Sequence, residues 1–367
     1  MIAPVGLNVS KRGVWMLQVT TYAKMKFIFY RLSTILKSFK TLYTLSPDKM
    51  NSFLSSYEIY DHDWANEEKL IRAMGVDYYN IMKKKIVDYY SVLNHLCAIG
   101  QVEKMYIPPA MDLSKSIIAN QILFEEKMSR DLQIKSGHQV LDIGCGRGRI
   151  ASHIASITGA KITGMNIDAT QLDMARRFAY GNGLQEQCVF QQGDLNDIPF
   201  AFADNAFDAI YHVQVFTYAR DFEKLFADLY RMIKPGGRLS CLDWVRLDAY
   251  DPTNAHHMEL IKRVKPLIGA IRTPSIEEYT DGIKKAGFKI IINENASIDG
   301  LQSPLIEHAD RFFQTIRKLI NFFVRCRILP RHFQVLFKRL TQDGEAFVEA
   351  DRLRLVTSSH YIVAEKE

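Results

Sequence analysis

The feature of this 367-residue sequence that most constrains its fold is a glycine-rich turn at residues 144–148. An apolar run with strand character, residues 139–143, enters the turn, and a helical pattern leaves it at Arg149. Glycines let the backbone turn tightly and let a ligand come close, where a side chain would collide. The pattern predicts a ligand-binding connection between a buried strand and a helix.

Strand-like runs and helical patterns alternate on both sides of this turn. Strands are predicted at 139–143, 160–165, 188–191, 207–212, 237–245, 288–293 and 360–364, and the helices between them at 150–157, 170–182, 221–233 and 275–286. Alternation at this spacing favours an α/β fold with a parallel sheet covered on both faces. A helical stretch precedes the last run, which we expect to form a terminal hairpin strand that closes the sheet edge.

These patterns divide the chain into four segments. Residues 1–50 are basic and apolar, and residues 51–135 form a helical cap that includes a predicted helix over 67–82. Residues 136–296 hold the alternating core. Residues 297–367 hold a helical insertion and the last core strand.

The net charge of +6 is modest, but two stretches concentrate it. Residues 1–47 contain seven Lys or Arg and no acidic residue, and residues 311–339 contain eight and no acidic residue. Both stretches are also rich in aromatic and aliphatic residues. Nucleic acids and anionic membranes both attract basic segments, but the interleaved apolar residues favour a membrane. We therefore expect contact with a membrane surface through these segments and no nucleic-acid partner.

Residues 32–43 show the membrane pattern over a short distance. Their apolar residues fall at helical spacing, with Lys37 and Lys40 opposite, which predicts a helix lying in a membrane interface. A helix packed on the body of the protein and an organelle-targeting peptide stay open as alternatives. Lys24 and Lys26 interrupt the preceding apolar run, so we expect neither a signal peptide nor a membrane span there.

The five cysteines are scattered and show no CxxC or metal-like spacing. This spacing argues against a disulfide framework and against a zinc site, and it favours a reducing compartment. We expect no metal site.

The spacing of the glycine turn differs from that of the dinucleotide-binding fingerprint. The third glycine comes one residue early, giving G-x-G-x-G, and Arg149 takes the last position of the fingerprint. Asp142 stands near the end of the preceding strand, where a carboxylate would pair with an ammonium group and repel a pyrophosphate. The motif therefore favours a ligand with an amino group over NAD.

Polar residues follow the next two strands, where a nucleoside would lie. Asn166 and Asp168 follow the second strand, and either one suits the hydroxyls of a ribose. Gly193, Asp194 and Leu195 follow the third strand, where the carboxylate can accept a hydrogen bond from an adenine amino group. These positions predict an adenosine group in the ligand.

With a strand at 207–211 and a turn at 233–237, these features resemble the class I methyltransferases. Over residues 85–367 the sequence is similar to the sterol C-methyltransferase branch of that family. The narrower resemblance rests on residues 164–171, 235–237, 243–245 and 250–252. It implies a Rossmann-like, seven-stranded sheet with an N-terminal helical cap and a C-terminal helical lid, and S-adenosylmethionine as the methyl donor.

The resemblance also implies roles for single residues. Tyr90 would close over the methionine part of the cofactor, Gln171 would help to hold the loop of the second strand, and Glu125 would occupy the family's acidic position before the glycine turn. The predicted cofactor-binding residues are Tyr90, Asp142, Gly144, Gly146, Gly148, Asn166, Asp168, Gln171, Gly193, Asp194, Leu195 and Gln214.

The sequence departs from the sterol branch on the substrate side. Residues 96–101 replace an aromatic and acidic run of that branch, and residues 214–220 replace its motif after the fourth strand. The cofactor-side residues keep the family pattern. The contrast favours an acceptor that differs from the standard sterol.

Methyl transfer requires no nucleophilic side chain of the protein, because S-adenosylmethionine already carries a good leaving group. The protein chiefly aligns the acceptor with the methyl carbon and excludes water. Methylation of an alkene leaves a carbocation, which aromatic faces stabilise until a base removes a proton. The candidate faces are Tyr211, Phe216, Tyr218 and Trp244, and the candidate bases are Asp243, Glu125 and His212.

Asp243 is the favoured active-site acid, because a carboxylate inside an apolar strand end is costly to bury without a task or a partner. For His212 and the aromatic residues, ordinary core packing stays open. We therefore predict Asp243, Glu125, Tyr218 and His212 as the catalytic residues.

Three functions stay open at this level. We favour C-methylation of a sterol or other isoprenoid lipid, either in the cytoplasm or at the cytoplasmic side of an intracellular membrane such as the endoplasmic reticulum. The alternatives are N- or O-methylation of a small amine, phosphobase or phenolic lipid, and non-catalytic lipid binding. Helices predicted over 312–324 and 328–340 would form a lid for a greasy substrate. A homo-oligomer also stays open.

Overall fold

A seven-stranded sheet runs through the protein in the computed structural model, which describes residues 32–64, 66–100 and 104–367. Its strands are β1 (Gln139–Ile143), β2 (Lys161–Asn166), β3 (Cys188–Gln192), β4 (Phe207–Val213), β5 (Ile233–Arg246), β6 (Lys289–Asn295) and β7 (Val356–Glu365). Their order is β3-β2-β1-β4-β5-β7-β6; β7 runs antiparallel to both its neighbours, and the other pairs are parallel. The predicted seven-stranded α/β fold is confirmed.

The last strand does not lie at the predicted edge of the sheet. β7 lies between β5 and β6, and β6 forms the edge. All of β7 except Glu365 is buried, whereas exposed residues recur along β6. A strand that is buried on both faces suits the interior of a sheet, and a half-exposed strand suits an edge.

Helices cover both faces of the sheet, as predicted. The helices of the described residues are α1 (32–43), α2 (Pro47–Ser56), α3 (Glu67–Met74), α4 (Tyr78–Ile99), α5 (Ile117–Asp131), α6 (Arg149–Thr158), α7 (Ala169–Gly181), α8 (Phe222–Met232), α9 (Ala255–Ile268), α10 (Ile276–Lys285), α11 (Ser303–Arg325), α12 (His332–Thr341) and α13 (Gly344–Arg352). Apolar residues of α5, α6 and α7 are buried against one face of the sheet, and those of α8 and α10 against the other.

The helix predicted over 67–82 is two helices in the structure. Gly75 ends α3 with a φ of 83°, a backbone conformation that residues with side chains rarely adopt, and α4 begins at Tyr78. The break lets α4 take its own direction. Residues of α4 line the same cavity as residues at the carboxyl ends of β1, β2 and β4.

The cap and the C-terminal helices share an apolar core. Leu42 of α1, Tyr89 of α4 and Phe333 of α12 are buried in one cluster. The rings of Phe39 and Phe333 lie 5.3 Å apart between centroids, and Nε2 of His332 hydrogen-bonds to the carbonyl of Leu42 at 2.8 Å. Segments almost 300 residues apart therefore meet in one layer.

α1 has a packed side and an exposed side. Ser38 and Leu42 are buried, whereas Leu32, Leu36 and Tyr43 are exposed. The packed alternative therefore describes part of the apolar side that we predicted to face a membrane, because Phe39 and Leu42 of that side pack against α12, whereas Leu32, Leu36 and Tyr43 stay exposed. The predictions for residues 1–31 lie outside the described residues. Among the described helices, none is both long enough and apolar enough to cross a bilayer.

Candidate active site

A cavity with about 1090 Å³ of empty space, its mouth included, lies at the carboxyl ends of β1, β2 and β4. We call the strand ends and the loops that follow them the floor, and α4 with residues 104–106 and Tyr218 the roof. Open α/β sheets bind ligands at this end of their strands. The predicted cofactor residues that line the cavity are Tyr90, Gly144, Gly146, Asn166, Asp168, Gln171, Gly193, Asp194, Leu195 and Gln214.

The three glycines of the turn have different tasks, although all have a positive φ. A Cβ on Gly144 would lie 2.4 Å from Val215, and one on Gly148 would lie 2.7 Å from a side chain of α7, so packing requires both glycines. A Cβ on Gly146 would meet nothing closer than Gln171, at 3.7 Å. The backbone at Gly146 therefore lies open to a bound ligand.

Asp142 is buried in β1, just before the turn, and is not among the residues that line the cavity. Burial raises the pKa of its carboxyl to about 7, and the hydroxyl of Tyr211 offsets part of the rise. A buried carboxyl with a raised pKa gains from a nearby cation. Its predicted pairing with the amino group of the cofactor would act across the glycine turn, and it stays a prediction.

The two candidates for the ribose hydroxyls have separate surroundings. Oδ1 of Asn166 accepts from the backbone of Gly146 at 3.3 Å, and its amide donates to Gln171 at 2.9 Å. Oδ1 of Asp168 caps α7 by accepting from the backbone of Thr170 at 2.8 Å, whereas its buried Oδ2 has no hydrogen-bond partner among the described residues. A buried oxygen without a partner is costly, and a ligand hydroxyl would satisfy it. The geometry favours Asp168 for the ribose and Asn166 for holding the turn.

Asp194 ties the floor to the roof. The hydroxyl of Tyr79 lies 2.8 Å from both oxygens of its carboxylate, and Nζ of Lys83 lies 2.7 Å from Oδ2. We call this set of contacts the roof contact. The backbone of Asn196 donates to Oδ1 at 2.9 Å. The carboxylate that we expect to accept from the adenine amino group therefore also holds α4 in place.

Tyr90 and Tyr218 border the cavity and approach each other at Gly269. The hydroxyl of Tyr218 donates to the carbonyl of Gly269, and a Cβ on this glycine would lie 3.0 Å from the hydroxyl of Tyr90. Burial raises the pKa of both phenols, so both are neutral at physiological pH. Two neutral aromatic rings thus form part of the roof.

Gln214 joins three segments of the chain. Its amide donates to the carbonyls of Ile107 at 2.8 Å and Ser358 at 2.9 Å, and its Oε1 accepts from the backbone of Ile107 at 3.2 Å. The side chain lines the cavity, but its polar atoms are engaged with the backbone. These contacts are those of a residue that positions the wall, and its role in cofactor binding stays a prediction.

Asp243 is buried and is not among the residues that line the cavity. Its carboxylate accepts from the backbone of Phe216 at 2.8 Å, from the backbone of Trp244 at 2.7 Å and from the hydroxyl of Tyr279 at 2.8 Å. Burial raises the pKa of the Asp243 carboxyl to about 6, and these donors oppose the rise. The contacts suit a residue that positions the loop carrying Tyr218. The assignment of Asp243 as a base stays a prediction.

His212, Tyr211, Phe216 and Trp244 are also buried outside the cavity lining. The ring of His212 stacks on Phe216 with centroids 3.5 Å apart, and burial lowers the pKa of the imidazole well below its usual value. Trp244 packs in an apolar cluster with α9 and α13. Of the four predicted aromatic faces, Tyr218 is the one that borders this cavity.

Glu125 is buried in α5 and touches the cavity through its partners. Its carboxylate lies 2.6 Å from Nζ of Lys104, 2.8 Å from the hydroxyl of Tyr106 and 2.6 Å from Nδ1 of His153. Lys104 and Tyr106 line the roof. Glu125 therefore holds these two roof residues, while its predicted role as a base stays untested by this arrangement.

Sequence reasoning missed four roof residues, namely Tyr79, Lys83, Lys104 and Tyr106. The first two had a signal, because Tyr79, Lys83 and the predicted Tyr90 share one face of a helix by their spacing. The other two had none, because their place depends on the buried Glu125.

The floor and roof fit S-adenosylmethionine. Gly146 offers an open backbone, the unsatisfied Oδ2 of Asp168 offers an acceptor for a ribose hydroxyl, and Asp194 offers one for an adenine amino group. The ring of Tyr90 stands over the floor as part of the roof. These residues would hold the cofactor by its three polar parts.

A family model described as Methyltransferase domain matches residues 141–241, which include the glycine turn and the strands from β2 to most of β5. The chain is 26% identical to a sterol 24-C-methyltransferase of Gibberella zeae, over 84% of this chain and 86% of that protein. It is 30% identical to a sterol 24-C-methyltransferase of Aspergillus fumigatus, over 59% of this chain and 54% of that protein. The second match thus spans about half of the relative's length.

Solved structures share the fold. The crystal structure of the [4+2]-cyclase SpnF aligns with a TM-score of 0.60 at 18% identity, covering 77% of this chain and 96% of the cyclase. At this identity the likeness shows the fold and says nothing about the reaction.

Proposed function

Because the chain is an S-adenosylmethionine-dependent class I methyltransferase and a distant relative of the sterol 24-C-methyltransferases, we propose that it methylates a carbon atom of a sterol or another isoprenoid lipid. The predictions of the family, the enzyme class and the methyl donor are confirmed. The relationship to the Gibberella zeae enzyme over most of both chains supports a lipid acceptor. Such an acceptor dissolves in membranes, so we propose that the enzyme acts at the cytoplasmic side of an intracellular membrane such as the endoplasmic reticulum.

The composition of the roof is the observation that carries this proposal. Apart from Lys104, whose ammonium group pairs with Glu125, the roof residues that line the cavity are aromatic and apolar, namely Tyr79, Met82, Ile86, Val87, Tyr90, Met105, Tyr106 and Tyr218. An apolar wall favours an apolar acceptor, and aromatic faces stabilise a nearby cation. A small polar amine would find few partners on this wall.

The chain's residues have three tasks in the proposed reaction. When bound, S-adenosylmethionine supplies an activated methyl group. The floor fixes the position of the donor, and the roof excludes water and places the acceptor's double bond in line with the methyl carbon. The electron pair of that double bond forms the new carbon–carbon bond while the bond between the methyl carbon and sulfur breaks and its electron pair stays on the sulfur. This leaves a cation on the neighbouring carbon. Tyr218 faces this cation, and transfer of a proton from the acceptor to a base, for which Asp243, Glu125 and His212 are the predicted candidates, restores a double bond.

Product analysis tests the proposal directly. The purified protein is incubated with methyl-labelled S-adenosylmethionine and a lipid extract that contains sterols, linear triterpenes and phosphobases, and labelled products are identified by mass spectrometry. We expect label on a sterol or isoprenoid carbon. Label on nitrogen or oxygen would overturn the carbon mechanism and leave the donor assignment intact. Cofactor binding without any labelled product would favour lipid binding without catalysis.

Variants of Tyr218 test the cation mechanism. Tyr218→Leu removes the aromatic face, and we expect kcat to fall by about tenfold, since a desolvated cation–π contact contributes about 1–2 kcal/mol. Tyr218→Phe is the matched control, because it keeps the ring and loses only the hydroxyl that bonds to Gly269. Equal kcat values for the two variants, at unchanged cofactor affinity, would contradict the cation role.

A further inference from the structure

The second half of α11 and the turn after it present an exposed surface that is both apolar and basic. We define the basic apolar face by Lys318, Leu319, Phe322, Arg325, Arg327 and Ile328, all of which are exposed. Leu319 and Phe322 are 55% and 59% exposed, which is unusual for large apolar side chains that lie close together on one helix. The opposite side of α11 is packed, with Ile320 buried in the shared core of the cap.

α1 adjoins this face through the start of α12. Nε2 of His332, six residues after Cys326, bonds to the carbonyl of Leu42, and Phe39 packs on Phe333. α1 presents its own exposed apolar side and the exposed Lys37 and Lys40. The described part of the first basic stretch therefore contacts the second basic stretch.

The charges of the face have no ion-pair partners among the described residues. Residues 311–341 contain no acidic side chain. In the part of the chain that the structure describes, Lys318, Arg325 and Arg327 make no ion pair, whereas Arg231 and Arg238 of the core are paired with carboxylates. Unpaired cations at this density attract an anionic partner.

The mixture of side chains selects among anionic partners. A nucleic acid would neutralise the cations and leave Leu319 and Phe322 in water. The headgroup region of an anionic bilayer accepts both, because acyl chains cover the apolar side chains while phosphates meet the cations. We propose that the basic apolar face binds the surface of a membrane that contains anionic lipids.

The position of the face relative to the cavity connects membrane binding with the proposed methyl transfer. Phe313, on α11, packs against Gly100 at the end of α4, and the other side of α4 forms the roof. Both α11 and α4 would thus separate a bilayer on the face from the cavity. This connection rests on the proposed lipid acceptor, but membrane binding by the face is measured without methyl transfer.

Vesicle sedimentation with the full chain tests the inference. One set of vesicles contains phosphatidylcholine alone, and the other contains phosphatidylcholine with phosphatidylserine. We expect binding to the anionic vesicles only, weakened by added salt. Replacing Lys318, Arg325 and Arg327 together by Gln should weaken this binding by about tenfold or more.

Matched control variants test whether vesicle binding depends on the position of the charged and apolar side chains or only on their number. Lys161, Arg177 and Lys284 are exposed, make no ion pair within the described residues and lie outside the face, so their joint replacement by Gln changes the net charge equally. Likewise, Leu319→Ser with Phe322→Ser is compared with Val189→Ser and Ile157→Ser, which are exposed elsewhere. Thermal unfolding and cofactor binding verify that each variant is folded.

The outcomes distinguish an anionic membrane from a second copy of the chain as the partner of the basic apolar face. Equal binding to both vesicle types, equal loss in face and control variants, or no vesicle binding at all would overturn the proposal. A dimer that disappears in Leu319→Ser with Phe322→Ser, without vesicle binding, would assign the face to a second copy instead. Binding to anionic vesicles without methylation of any lipid would leave this inference standing and count against the proposed acceptor.

Discussion

The floor and the roof of the cavity are built by different means. The floor consists of short loops between residues 143 and 215, in which glycines and small polar side chains are fixed by backbone contacts. The roof collects tyrosines and apolar residues from α4, from residues 104–106 and from the loop at Tyr218. We therefore expect local sequence motifs to recognise the methyl donor, and residues that only the tertiary structure brings together to recognise the acceptor.

The loop after β4 joins these two regions, and Asp243 should show the largest effect. Asp243→Ala leaves the backbone donors of Phe216 and Trp244 and the hydroxyl of Tyr279 without an acceptor. We expect a loss of about 3 kcal/mol in the free energy of unfolding, measured by chemical denaturation. Asp243→Asn keeps one side-chain acceptor but turns its NH2 group toward the donors of the other oxygen, so it should lose less stability than Asp243→Ala. A kcat that falls far more in the Asn variant than in the Ala variant, relative to their losses of stability, would make Asp243 the base and refute a purely positioning role.

The close packing of the floor predicts the next effect. Gly144→Ala places a Cβ 2.4 Å from Val215 at a φ of 73°. We expect a loss of cofactor affinity of about 50-fold or more, measured by calorimetry, because the turn must shift. Gly183→Ala is the matched control, since it has a φ of 71° and open space around the new methyl group. A comparable loss of affinity in both variants would show that backbone strain, not the floor, is responsible.

Asp142 predicts a pH dependence of cofactor binding that belongs to the floor. Burial raises the pKa of its carboxyl to about 7, so the charged form that pairs with an ammonium group is the minor form below pH 7. Affinity should therefore rise by about tenfold between pH 6 and pH 8. The ammonium group of the cofactor titrates as well, and the same titration on Asp142→Asn corrects for it. If the affinity of Asp142→Asn changes with pH as that of the unchanged protein does, the carboxyl of Asp142 does not interact with the cofactor's ammonium group.

The roof contact predicts the smallest effect. Lys83→Met removes the cation beside Asp194 and leaves Tyr79, among the described residues of α4, to hold this carboxylate. We expect S-adenosylmethionine to dissociate about fivefold faster in stopped-flow experiments, as for the loss of one partly exposed ion pair. Lys84→Met is the control, because Lys84 is the exposed neighbour on the same helix. A change of equal size in the dissociation rates of both variants would show that the roof contact does not retain the cofactor.

Prediction from the sequence succeeded where the signal is local. The strand before the glycine turn and the turn itself were predicted within one residue, because a short apolar run between glycines has few alternative conformations. The place of β7 was wrong, since the order of strands depends on which of two strands is buried on both faces. The polarity of Asp243 pointed to a partner, but its sequence neighbours do not reveal that the partners are Phe216 and Tyr279.

By itself, the sequence determined the α/β alternation, the glycine turn, the positions predicted to bind adenosine and the two basic segments, because each of these is a pattern among residues that are close together in the chain. The tertiary structure alone decided that Tyr79 and Lys83 close on Asp194, that His212 and Trp244 lie outside the cavity, and that α1 adjoins α12. These contacts join segments far apart in the chain. Their geometry follows from how helices pack over the sheet, which local periodicity does not encode.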